Sequence, residues 1–147
     1  MKPWARNLIL KKFSSEKFQN PQIDRNAAIE ILEQQYRTGE MVFLGNENKN
    51  ILFMVKPTTW WVAGIEILAE TNNPSSVVIE AKKALEWVWL NTNLHKLTAE
   101  IIDPRIGVWL KKSGFKKEGV SKESYLKYDD GVWLDEHIYS IIRPKES

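Results

Sequence analysis

The sequence contains no cysteine, which excludes disulfides, thiolate metal sites and a cysteine nucleophile. With only two histidines, a histidine-rich metal centre is excluded as well. An excess of one charge is also lacking: 21 Lys and Arg against 19 Asp and Glu leave +2, too little by itself to imply a nucleic-acid partner. Long hydrophobic runs are missing, and nothing approaches the roughly 20 apolar residues of a membrane span. The opening MKPWARNLILKKF has a short apolar run and no small-residue cleavage site, so no signal peptide and a cytoplasmic location are expected. Repeats, low-complexity tracts and linkers are absent, which leaves one domain over residues 1–147.

What is present is ordinary for a folded domain. At 43% apolar and 27% charged, the 147 residues can bury roughly two-thirds of their surface. Arg6–Phe13 (RNLILKKF) reads as a first strand, and Ser14–Ile23, with Asn20-Pro21, as a loop or a short helical turn. Asp24 caps a helix carrying Ala27, Ala28, Ile31, Leu32, Gln35 and Tyr36 at helical spacing, and Gly39 stops it. Met41–Leu44 and Ile51–Lys56 form a hairpin around a polar loop. Trp60–Glu70 (WWVAGIEILAE) is apolar on both faces, with Trp61, Ala63, Ile65, Ile67 and Ala69 on one, so a central strand covered on both sides is expected. Asn73 and Pro74 suit the start of a helix over Ser75–Asn91, and Leu97–Ile102 is a further strand. A strand, helix and strand in this order predict a parallel crossover.

The stretch Asp103–Ser140 closes the pattern. Ile106, Leu110 and Phe115 share a helical stripe, Ser113-Gly114 supplies the stop, and Asp129-Asp130-Gly131 marks a turn between two strands. The expected class is α/β (α+β): a mixed, mainly antiparallel sheet with helices on both faces, in the order β-α-βββ-α-β-α-ββ.

The runs SGFKKEGV and DDGVWLDEHIYSI, with LHKL at Leu94–Leu97, resemble the C-terminal half of the GNAT superfamily of acyl-CoA N-acyltransferases. The similarity is greatest to the branch that acetylates N-termini of ribosomal proteins, and it covers about Ala63–Ile142. It implies acetyl-CoA as donor, an amine or protein N-terminus as acceptor, and direct attack with no covalent enzyme intermediate. By the same resemblance, backbone edges of Ile67, Leu68 and Ala69 would hold the pantetheine. Asn73, Ser75 and Ser76 would hold the pyrophosphate, where helix N–H groups and dipole favour an anion.

The family's loop is written Q/R-x-x-G-x-G/A, and this chain departs from it. Thr71 stands at the first position, Pro74 at the first glycine and Ser76 at the second. Proline removes a donor, so TNNPSS reads either as a well-capped helix start or as a phosphate cradle. Asp103 stands where the family often has an asparagine that aids cofactor binding, and Leu110 where it often has a tyrosine that protonates the leaving thiolate. Glu66 is the leading general-base candidate, because burial in an apolar strand would raise its pKa. Glu100 is the second. Tyr125, Tyr128 and Tyr139 read as packing residues and His95 as a junction residue.

Seven tryptophans are unusual for this length. Trp87 and Trp89 cannot share one helix face, and Trp60 and Trp61 point to opposite sides of a strand. Exposure of some of Trp60, Trp87, Trp109 and Trp133 would offer a surface for a protein partner or a homo-oligomer. The competing functional reading is therefore a scaffold of this fold without cofactor, acting in protein binding or assembly, as degenerate versions do in bacteriophage head assembly. No membrane partner is expected, and nucleic acid ranks last.

Overall fold

The computed structural model describes residues 1–14, 24–71, 73–127 and 130–145. Its elements are α1 (Pro3–Ser14), α2 (Arg25–Thr38), β1 (Val42–Gly45), β2 (Ile51–Pro57), β3 (Val62–Ala69), α3 (Pro74–Asn91), β4 (Lys96–Ile101), α4 (Pro104–Lys112), β5 (Lys116–Lys127) and β6 (Val132–Ile142). One six-stranded sheet runs β1-β2-β3-β4-β6-β5. Among the described residues only β3 and β4 pair in parallel, joined through α3. The mixed, mainly antiparallel class is thus the observed one.

Two cores lie on opposite faces of this sheet. The larger gathers Phe53, Val55, Ala63, Ile65, Ile67, Leu97, Ala99 and Tyr139 under α3 and α4, which contribute Val77, Ala81, Leu85, Val88 and Leu110. The smaller joins Leu52, Met54 and Leu68 to Ala5, Leu8, Ile9 and Ile29 of α1 and α2. Each buried Leu, Ile or Val contributes about 1.5–3 kcal/mol relative to exposure, so both helical layers are held chiefly by apolar burial.

The N-terminal expectation fails. Arg6–Phe13 is not a strand; it lies within α1. Ala5, Leu8 and Ile9 are all buried, and that 3–4 spacing forms a helical stripe once the residues before Arg6 are included. The sheet consequently has six strands and opens after two helices. Ser15–Ile23, Asn72, Tyr128 and Asp129 lie outside the described residues. In α2, Asp24 caps as expected by accepting the Asn26 and Ala27 N–H groups, and Gly39 ends the helix at φ 78°. Its buried side is turned, however. Ile29 and Leu32 face inward because they pack in the smaller core, which leaves Ile31 58% exposed; the Arg6–Glu33 ion pair (3.1 Å) joins the neighbouring face to α1.

The strand expected from Trp60 begins only at Val62. Thr59 Oγ1 accepts the Trp61 and Val62 N–H groups, and the Thr58 and Thr59 N–H groups both donate to the Val62 carbonyl. This local turn takes both tryptophans out of the strand, leaving Trp60 89% and Trp61 61% exposed.

Candidate active site

β3 and β4 stay together for three rungs and then part. Val62, Ala63 and Gly64 face Lys96, Leu97 and Thr98, and no pairing follows, although β3 runs on to Ala69 and β4 to Ile101. The edge of β3 thereby exposed has defined polarity. Glu70 N–H donates to the Asn50 carbonyl on the β2 side, and the Trp61 carbonyl accepts from His95 and Lys96 on the β4 side. Alternation along an antiparallel strand then turns the backbone groups of Ile65, Ile67 and Ala69 towards the opening. Leu68 turns its backbone groups to β2 and its side chain into the smaller core.

Two concavities meet at this opening. A cavity of about 120 Å³ lies between Ile65, Ile67, Ala99, Ile101, Asp103 and Ile106. A cleft of about 600 Å³ lies on the α1–α2 side, among Leu32, Met41, Met54, Lys56, Thr58 and Thr98. Lys12, Glu66, Glu100 and Glu136 line both. The strand registers explain the convergence. Glu66 and Glu100 lie on the sheet face that α1 and α2 cover only in part, and Glu136 is the diagonal neighbour of Glu100 on β6, which pairs with Ile138.

The expected burial of Glu66 is corrected by the structure. Its side chain is 53% exposed, because the helical layer that covers Leu68 leaves the next residue on that face uncovered, and Lys12 Nζ lies 2.8 Å from its Oε2. Neither Glu136 nor Lys12 is suggested by the sequence alone. Their strand and helix neighbours show no anomaly, and only the register brings them beside Glu66. Tyr125, expected to be a packing residue, is half-buried and also lines the small cavity.

At the start of α3, Pro74 has no N–H, and the Asn73 side chain accepts the Ser75 N–H. Two donors of the first turn are therefore missing or taken, while Ser76 is half-buried one residue further on. Asp103 caps α4 by accepting the Arg105 N–H, and the Arg105 guanidinium grips the same carboxylate at 2.8 Å. The Asp103 hydrogen bond and charge hold the Arg105 pKa above its ordinary value. The negative charge of Asp103 thus reaches the cavity already matched by a cation. Leu110 is fully buried and packs in the core.

Among the described residues no group of three or more His, Asp or Glu is arranged to hold a metal, and no helix is long and apolar enough to cross a membrane. No family model matches the sequence, and no curated protein matches it. Solved structures do. A spermidine N-acetyltransferase from Vibrio cholerae, in complex with CoA and spermine, superposes with a TM-score of 0.78 at 15% identity, over 97% of this chain and 92% of that one. The ribosomal-protein-S5-alanine acetyltransferase of Vibrio fischeri gives 0.70 at 15% identity, over 100% and 92%. A dodecameric form of the Vibrio cholerae enzyme gives 0.71 at 17% identity, over 95% and 86%.

The chain has the GNAT fold. Its parting strands are β3 and β4, and its helix after the first parting strand is α3. Most of the motif residues behind the resemblance serve that fold rather than the opening. Phe115 and Tyr139 are core, Gly131 takes φ 72° at the hairpin, and Asp135 accepts the Glu123 N–H. Glu118 pairs with Lys96 at 2.6 Å, a hydrogen bond that holds its carboxyl below the usual range. Of the tryptophans, Trp60, Trp61, Trp87 and Trp133 are exposed, whereas Trp109 is half-buried against the main core. Trp60 and Trp87 line an apolar groove of about 280 Å³ with Val42, Val55 and Leu94.

Proposed function

We propose that this chain is an acyl-CoA-dependent N-acyltransferase, with acetyl-CoA as donor and a small amine or a protein N-terminus as acceptor. The observation that carries the reading is the parting of β3 from β4 after Gly64 and Thr98, with three carboxylates at its mouth. The open edge at Ile65, Ile67 and Ala69 suits the amides of a pantetheine arm, and Asn73, Ser75 and Ser76 stand beside its pyrophosphate end. The larger cleft suits a cation, since Glu66, Glu100 and Glu136 against Lys12 and Lys56 leave one excess negative charge (3 − 2 = 1). The similar proteins named above are acetyltransferases of spermidine and of an alanine of ribosomal protein S5, each of which can present an amino group.

In this reading Glu100 and Glu136 hold the acceptor ammonium, and Glu66 takes its proton through water. The neutral amine attacks the thioester carbonyl, the C–S bond breaks, and Tyr125 offers the thiolate a proton. Neither a cysteine nor a metal is required. A defined test is the melting temperature with and without acetyl-CoA. At about 100 times its Kd the ligand adds about 2.7 kcal/mol of stability. No shift and no calorimetric heat overturn the proposal. Glu66→Gln should cut turnover about a hundredfold or more with the shift intact. Unchanged turnover would remove Glu66 from its role.

A second reading, a GNAT-fold scaffold for protein binding or assembly, is favoured by the lost donors at Pro74 and Ser75 and by the groove beside Trp60 and Trp87. It expects no acetyl-CoA shift and a defined oligomer or partner complex in sedimentation. A monomer that binds acetyl-CoA overturns it.

A further inference from the structure

Lys12 sits where an acceptor amine would sit. Its Nζ lies 2.8 Å from Glu66 Oε2, its side chain is only 21% exposed, and it lines both the 600 Å³ cleft and the 120 Å³ cavity. Among the described residues no other lysine lines both. Lys56 lines the cleft alone, and Lys11 is turned to Glu70 at 2.6 Å. The position is held from below, because Ala5, Leu8 and Ile9 anchor α1 in the smaller core, and Lys11 pairs at the surface with Glu70, just past β3. An ammonium group on a carboxylate, at the junction of a donor cavity and an acceptor cleft, has the placement of a substrate.

We propose that Lys12 is a site of self-acylation, an inference that rests on reading the β3–β4 opening as the acyl-CoA site. Glu66 takes a proton from the Lys12 ammonium, to which it is already hydrogen-bonded. The neutral Nζ attacks the thioester carbonyl carbon, the new C–N bond forms and the C–S bond breaks. Sulfur leaves as the CoA thiolate and is protonated to the thiol. Ammonium and thioester thus become amide, thiol and one released proton. Tethering makes this step favourable over acylation of dispersed lysines, since the amine is already held on Glu66 beside both concavities and no second molecule has to be ordered. The amide carries no charge, so the Lys12–Glu66 ion pair is lost. The excess negative charge of the cleft rises from one to two (3 − 1 = 2), and the modified chain attracts a cationic acceptor more strongly.

The test uses the native chain with acetyl-CoA and no acceptor, followed by intact-mass measurement and peptide mapping. The expected result is one acetyl group, on Lys12, appearing at a rate independent of protein concentration. Lys12→Arg, which keeps the cation but not the nucleophile, should lose the label and keep the acetyl-CoA melting shift. A melting shift with Lys12 labelled no faster than exposed Lys82 or Lys83 overturns self-acylation and leaves the acyltransferase reading standing. A labelling rate that rises with protein concentration also overturns it, since one molecule would then be acylating another. Absence of both shift and label overturns the two together.

Discussion

The guanidinium of Arg143, just past β6, lies 5.1 Å from the Trp89 ring centroid and donates to the Trp89 carbonyl at 2.7 Å. It also donates to the carbonyls of Thr92 (2.6 Å) and Leu94 (2.8 Å). A cation therefore closes the negative end of α3 and binds the loop that delivers the chain to β4. Arg143 N–H adds a bond to the His95 carbonyl, while His95 and Lys96 donate to Trp61. The clamp thus holds the start of the β3–β4 pairing, three rungs before the strands part.

Arg143→Ala should cost about 3 kcal/mol, because three part-buried carbonyls lose a charged donor. Arg143→Lys should recover less than half, since an ammonium cannot span three acceptors as a planar fork does. Denaturant midpoints measure both, and a loss under 1 kcal/mol for the alanine variant would refute the clamp.

Gly107 lets α4 approach β6 closely. A Cβ there would lie 2.8 Å from Tyr139 Oη and 3.1 Å from Ile101 Cδ1, both held in or against the core. Alanine gains about 1 kcal/mol of helix propensity, but overpacking costs typically 1–3 kcal/mol. Gly107→Ala should therefore lower the melting temperature. It should also weaken acetyl-CoA binding, since α4 carries Ile106 to the small cavity.

Acid should unfold the chain partly through Asp135. The Glu123 N–H bond, helped by Lys122 and His137, holds its carboxyl below the ordinary aspartate range. A depressed folded pKa means stability that is present above the unfolded value, about 4, and lost as pH falls through the lower folded value. Asp135→Asn should flatten the decline in melting temperature with pH below about 4, which a thermal series in acid would detect. An unchanged slope would count against it.

Pro74→Gly returns an N–H to the first turn of α3. If that turn faces the pyrophosphate, CoA should bind several-fold tighter by calorimetry while the melting temperature falls, because proline no longer stiffens the helix start. Equal affinity would separate the pyrophosphate from α3.

Much of the fold is legible locally. Asp24, Asn73 and Asp103 cap helices as their side chains dictate, and Gly39, Gly114 and Gly131 adopt the positive φ that their turns require. The misreadings share a cause. RNLILKKF is a short apolar run, for which strand and helix periods differ little, and packing on β2 and β3 decides for helix. WWVAG looks like strand throughout, yet the Thr59 hydroxyl competes for the first N–H groups.

The site was legible only in part. Glu66 and Glu100 stand out as carboxylates in apolar strands, whereas Glu136 and Lys12 sit among other charges and carry no local mark. Their meeting spans residues 12 to 136 and is set by strand order and register.

By itself the sequence determined caps, turns, the parallel crossover and the absence of thiol chemistry, because each follows from neighbouring residues and composition. Tertiary structure alone decided where β3 leaves β4, that Glu66 is exposed and paired, and which groups share the opening. Those depend on contacts between distant segments, whose geometry no local propensity encodes.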